Sequence, residues 1–110
     1  MKPQQVILTT SVIAAADLTR RHFVGFDGNV CAAGARALGV VEADTENAGV
    51  APANVLGSIL VQAGAAIAAG AQVESDANGR AITQSEGVAN GVAWDAAAAA
   101  GDVIRIVRGI

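Results

Sequence analysis

Ile59-Leu60-Val61-Gln62-Ala63-Gly64-Ala65-Ala66-Ile67-Ala68-Ala69-Gly70-Ala71-Gln72-Val73 is the most patterned stretch of this 110-residue chain. Branched apolar residues open it, and Gly64 and Gly70 bracket a short piece centred on Ile67. Glycine accepts positive φ without steric cost, so both positions read as turns. They are not a phosphate loop, because no Lys-Ser or Lys-Thr follows. Downstream, Asn78-Gly79 is a favoured turn pair. It folds Ala81-Ile82-Thr83 back onto Gln72-Val73-Glu74. The stretch therefore predicts strand, turn and hairpin rather than helix.

Towards the N-terminus the same grammar repeats. Val6-Ile7-Leu8-Thr9-Thr10-Ser11-Val12-Ile13 is β-branched and extended. Ala14 to Arg21 is too short for a stable isolated helix and reads as a short helix or a turn. His22 to Phe26 is a strand, Asp27-Gly28 a hairpin signal and Asn29 to Ala32 its return. Ala37 to Ala43 is another strand. Val50 to Val61 is two short strands or one bent strand, with Pro52 at a start or an edge.

Towards the C-terminus, Gly87 to Trp94 is a strand interrupted by glycine. Asp95 to Ala100 predicts one or two helical turns: five consecutive Ala favour helix, Asp95 can cap the start, and Gly101 can end it. Asp102 to Arg108 is a terminal strand. Seven to nine short strands with little helix imply an all-β fold, a small barrel or sandwich. No exact tandem repeat is present.

Composition bounds the function. The length suits one domain. Of the residues, 26 are Ala and 13 are Gly, so the core is built from small side chains that bury little area each. Three aromatics occur: Phe23, Phe26 and Trp94. The net charge of −3 argues against nucleic acid as a partner. Residues 47–73 carry no charge, but Pro52, Asn54, Gln62 and four glycines argue against a membrane span. The polar start Met1 to Gln5 is not expected to be a secretory signal.

Catalytic and metal chemistry is thinly supplied. His22 is the single histidine and Cys31 the single cysteine. A triad is recognised by geometry and only one base exists to anchor it, and zinc needs three or four such ligands. His22 reads as a strand residue and Cys31 as a small apolar one. The carboxylate pairs Asp44/Glu46 and Glu74/Asp76 lie in polar turns, where solvated carboxylates are expected. Asp76 and Asn78 could meet calcium, but the terminal bidentate Glu of an EF-hand is missing. Arg20-Arg21 suits an acidic or phosphate contact, or simply a solvated face. No catalytic residue, metal site or cofactor is expected.

A family resemblance rests on several stretches. These are Gly57 to Val61 through Gly64, Ile67, Gly70 and Val73 to Asp76-Ala77-Asn78-Gly79-Arg80-Ala81, and Asn90-Gly91-Val92-Ala93-Trp94-Asp95 to Ile106. Phe23 to Val30 and Ala37 to Val40 add to it. Together they resemble the small capsid decoration, or cement, proteins of tailed bacteriophages over most of residues 22–107. The resemblance implies a non-enzymatic virion protein made in the host cytoplasm. It would bind the major capsid protein on the outer surface of the assembled head and stabilise the lattice, often as a homotrimer. The implied fold is a β-barrel or β-tulip. Residues 1–21 would be an extended N-terminal arm on a compact β domain of residues 22–110. The arm's Val6, Ile7, Leu8, Thr9, Thr10, Arg20 and Arg21 would touch the capsid, the extended part by adding a strand to a sheet edge.

Two other readings remain. Val61, Gly64, Ile67, Gly70 and Val73 also look like the hammerhead turns of biotinyl and lipoyl carrier domains, but the tip at residues 76–80 lacks the modifiable lysine. A small ligand-binding β-barrel is the third.

Overall fold

In the computed structural model, which describes residues 3–109, eight strands form one sheet. They are β1 (Gln5–Ile13), β2 (Phe23–Val24), β3 (Gly39–Val41), β4 (Val50–Gln62), β5 (Gln72–Ser75), β6 (Ala81–Thr83), β7 (Gly91–Ala93) and β8 (Val103–Arg108). The order is β2-β3-β4-β8-β7-β5-β6, with β1 paired to β4 off that path. Every named pairing is antiparallel. The sheet curls into a nearly closed barrel. Its ends meet where the Phe23 amide of β2 donates to the Gly79 carbonyl in the β5–β6 turn at 2.6 Å, and β6 is also tied to the residues just past β4, where Gly64 donates to Ala81 at 2.7 Å.

The spine is β4, a single strand of 13 residues. Residues 53 and 54 pair with both β1 and β3, and residues 57 and 58 with both β1 and β8. So β1 holds one edge of β4, while β3 and β8 share the other end to end. Gly57 sits at the irregularity in the β1–β4 register. Its φ is +118°, and a Cβ there would lie 2.4 Å from the Gln5 carbonyl oxygen. Only glycine lets the two backbones approach this closely.

Val55 falls in the gap between β3 and β8, where no strand reaches its carbonyl. Arg108, the last residue of β8, fills that gap. Its guanidinium donates to the carbonyls of Val55 (2.8 Å), Leu38 (2.6 Å), Asn90 (3.0 Å) and Ala37. Burial lowers its pKa, and nearby Arg36 lowers it further. The carbonyl dipoles satisfy the fork in the absence of a carboxylate partner among the described salt bridges.

The hydrogen bonds reveal a repeat that the sequence disguises. Ala14 donates to Gly49, Leu18 and Thr45 exchange two bonds, and Arg21 donates to Val41. Likewise Ala63 donates to Asp102, Ile67 and Ala97 exchange two bonds, and Gly70 donates to Ala93. The strands match too. β1–β4–β3–β2 of the first half corresponds to β4–β8–β7–β5 of the second, with Thr9, Asn54, Val40 and Phe23 matching Ser58, Val107, Val92 and Gln72. β4 thus ends one unit and begins the next. Val12/Val61, Ala14/Ala63, Val24/Val73, Asp27/Asp76 and Asn29/Asn78 are identities at a spacing of 49 positions.

Two apolar clusters result. The smaller holds Ala14, Leu18, Val24, Val41, Ala51 and Ala53, all of the first half. The larger holds the matching second-half set, among them Ala63, Ile67, Val73, Ala93, Ile104 and Ile106, and also Phe23 and Val40. Successive residues of β2 and β3 therefore point into different clusters, so this ladder is covered on both faces. Full burial of Phe23 contributes about 2–3 kcal/mol.

Two expectations are corrected. Residues 95–100 do not form a helix, and none occurs among the described residues. Ala97 is committed to its two-bond bridge with Ile67, and the Asp102 carboxylate accepts from Ala98 and Ala99. Asp95 accepts from the Arg105 amide and guanidinium, which ties it to β8. Tertiary bonds outweigh alanine's preference, which is weak over so short a run. The extended arm over residues 1–21 is not supported either. Residues 5–13 form β1, whose ladder to β4 makes it part of the sheet along one edge; residues 1–2 lie outside the described residues. The eight strands fall within the expected seven to nine, including the β5–β6 hairpin at Ala81 to Thr83, but Val50 to Gln62 is one long strand and the expected return strand Asn29 to Ala32 is reduced to an isolated bridge between Val30 and Val24.

Candidate docking surface

Strand β1 is bound on one edge and open on the other. No strand among the described residues pairs with its second edge. Ser11 lies opposite Pro52, which has no N–H, and the Pro52 carbonyl accepts from Glu42 on the far side of β4. The Ser11 pair is therefore a non-hydrogen-bonded one, and the Ser11 amide and carbonyl point to the open edge. Thr9, two residues away, points the same way. No charged residue lies between Gln5 and Ala16. Edge strands are usually protected by charge, proline or burial, and this one has none of these beyond its bulge.

No residue of β1 is fully buried. Ile7 is 78% exposed, and Leu8 and Ile13 are exposed as well. Ile13 lies opposite exposed Val50. Val6 and Val12 face inward, packed against the larger and smaller clusters. On the outer face Thr9 Oγ1 donates to Asn54 Oδ1 at 2.9 Å, and Asn54 Nδ2 donates to Glu42 Oε2 at 2.9 Å. Gln4 joins by donating to Glu42 and accepting from the Leu60 amide.

The second half carries a different outer face. Gln5, Ser58, Val107, Val92 and Gln72 form a row across five strands. Val92, Trp94 and Val107 are 40%, 53% and 51% exposed. Arg105 lies 3.9 Å from the Trp94 ring centroid. Asp95 holds that guanidinium with two bonds of 2.9 Å, which raises the Arg105 pKa and neutralises its charge. A shallow groove of about 360 Å³ runs between Ile7, Trp94 and Val107, with Gly57 and Ser58 beneath.

The capsid-contact residues expected from the sequence are only partly brought together. Val6, Ile7, Leu8, Thr9 and Thr10 share β1. Arg20 and Arg21 lie apart: the Arg21 carbonyl accepts from Gln62, at the end of β4 far from Thr10's partner Ala53. The Arg20 amide donates to Asp44. The apolar trio Val92, Trp94 and Val107 was missed. A lone tryptophan between Gly91 and Gly101 was the available signal.

The other candidate residues of the sequence, His22, Cys31, Asp76 and Asp27, sit in structural roles. The ring nitrogens of His22 lie 2.8 Å from the Asn78 carbonyl and 2.7 Å from the Gln62 side-chain oxygen, tying β2 to the β5–β6 turn. Cys31 is buried, which raises its thiol pKa. Asp76 accepts from the amides of Asn78 and Arg80 and so closes its turn. Asp27 does the same with Asn29, which lowers its pKa. Neither hairpin tip carries a lysine.

The comparisons with known proteins agree with this architecture. A family model described as phage cement protein matches residues 1–108. The crystal structure of the head fiber gp8.5 N base of bacteriophage phi29 superposes with a TM-score of 0.76. It is 18% identical and 93% of each chain is covered, a likeness of fold. No curated protein matches the sequence.

Proposed function

Because this chain belongs to the phage cement protein family and is a phage structural protein, we propose that it decorates the outer surface of the assembled head. In this reading it binds the major capsid protein, self-associates as a homotrimer and stabilises the lattice without catalysis. It is made in the host cytoplasm and ends on the virion. The supporting observation is the open, uncharged edge of β1 beside exposed Ile7, Leu8 and Ile13. Such an edge accepts a strand from a capsid subunit, with affinity from main-chain bonds. Copies repeated over a lattice add avidity. The contact is made by β1 as part of the folded sheet.

Co-sedimentation tests this. The protein should pellet with expanded heads of its own phage and remain in solution with disassembled coat subunits. Ser11→Pro removes an edge donor that the β1–β4 ladder does not use. It should keep the fold and lose most pelleting; equal pelleting by the variant would refute the edge as the contact.

A further inference from the structure

We infer that the cavity over Glu74 is a receptor for a basic side chain, a lysine or arginine of a partner protein. For the capsid subunit as that partner it rests on the head-docking reading, but the cavity can be probed alone. It holds about 390 Å³ beside the loop that follows β6 and is lined by Ala33, Gly34, Glu74, Ile82, Ser85 and Glu86, among others. Two carboxylates line it, and no lysine or arginine does.

Glu74 carries the inference. It is the one buried carboxylate among the described residues, only 6% exposed. Ser85 holds its Oε1, donating from the amide at 2.6 Å and from the hydroxyl at 3.1 Å. Its Oε2 accepts no hydrogen bond among the described residues. The described salt bridges are Arg80–Asp76 and Arg105–Asp95, so neither Glu74 nor Glu86 is paired there. A carboxylate taken out of water is costly unless a cation or further donors meet it. Oε2 sits against two glycines: a Cβ at Gly34 would lie 3.3 Å from it, and one at Gly87 would collide with it. With no side chain on either, that oxygen stays open to the cavity.

The fold does not require this acid. One residue past the matched pair Val24/Val73, the first half has Gly25 where the second has Glu74. Asp27/Asp76 and Asn29/Asn78, which close the two turns, are kept. An ammonium or guanidinium would donate to Glu74 Oε2 and to the exposed Glu86 carboxylate, with its aliphatic stem along Ile82 and Ala33. A calcium ion fits less well. It takes about six or more oxygen ligands, and no group of three acidic, His or Cys ligands occurs among the described residues.

Titration with ethylguanidinium and butylammonium chloride, followed by amide NMR, tests the cavity. Sodium chloride controls for ionic strength, and tetramethylammonium chloride for a cation without donors. The amides of Gly34, Ser85 and Gly87 should shift saturably with at least one probe and with neither control. The tighter probe tells arginine from lysine. Glu74→Gln keeps an acceptor for Ser85 and should weaken probe binding about tenfold. Glu86→Gln, on an exposed side chain, should weaken it about threefold. Pelleting with expanded heads should weaken in the same order. No saturable shift would overturn the inference. So would wild-type probe affinity in both variants, or wild-type pelleting by both. Probe binding by a protein that never pellets refutes head docking and keeps the cavity as a receptor for another partner's basic side chain; pelleting without probe binding does the reverse.

Discussion

The two halves of the chain run through the same backbone hydrogen bonds and dress them differently. In the first, the outer face is covered at β2–β3 and closed elsewhere by the Thr9–Asn54–Glu42 chain. In the second, Val92, Trp94 and Val107 stand open. The inner positions, by contrast, are apolar in both: Val24 and Val73 match, as do Val41 and Ala93. Inner residues answer to burial and conserve their chemistry across the repeat. Outer residues are free to diverge, and their divergence locates the surfaces available to partners.

The largest test concerns a residue with no polar counterpart. Arg108 corresponds to Val55 and bonds the very carbonyl Val55 leaves at the fork. Arg108→Met should cost about 3–5 kcal/mol, because four carbonyls lose a buried donor. Chemical denaturation measures it; a cost below about 1 kcal/mol would mean the fork is wet and the two halves are not stapled there.

Next come Leu18 and Ile67, the apolar residues of the two matching isolated bridges. Ile67→Ala should cost about 3 kcal/mol and Leu18→Ala about 2, since Ile67 sits in the larger cluster. The reverse order would break the assignment of the larger cluster as the main core.

Backbone strain separates the halves more finely. Arg21 (φ 67°) and Ala48 (φ 72°) occupy the left-handed region where the second half uses Gly70 and Gly101. Ala48→Gly should stabilise by about 1 kcal/mol and Gly101→Ala destabilise by about as much. A Cβ at Gly101 meets nothing within 4 Å, so that variant reads backbone strain alone. Melting curves of the two variants should shift in opposite directions; shifts of the same sign would contradict the correspondence.

The smallest effect is at the first hairpin tip. The Asp27 pKa lies below its ordinary 3.8, chiefly through the Asn29 amide. A depressed carboxylate contributes stability above its unfolded pKa and loses it as pH falls through the folded value. Asp27→Asn should flatten a small acid-side loss of stability below about pH 4. An unchanged acid limb would show that the bond contributes nothing.

Much of the fold was legible because turn chemistry is local. Asn78-Gly79 marks the β5–β6 hairpin, and Gly70, with φ +85°, the turn after Ile67; Gly64 lacks the expected positive φ and is needed instead because a Cβ there would meet the Asp76 carboxylate. The helix at residues 95–100 failed because Ala97's partner, Ile67, lies 30 positions away and no local rule sees it. β1 reads as extended from its own residues, but its pairing with β4 depends on residues 37 to 53 positions on. The repeat hid behind sparse identities, with spacings drifting from 49 to 53 as loops differ. Of the docking surface, Val6 to Thr10 were anticipated as a strand. The Trp94 face emerges only when β8, β7 and β5 are laid side by side.

Hydrogen exchange on the protein bound to expanded heads tests the central claim most directly. The amides of Thr9 and Ser11, which face the open edge, should slow markedly on binding. Those of Thr10 and Val12, already bonded to β4, should change little. Unchanged exchange at Thr9 and Ser11 on bound protein would contradict docking through the edge of β1.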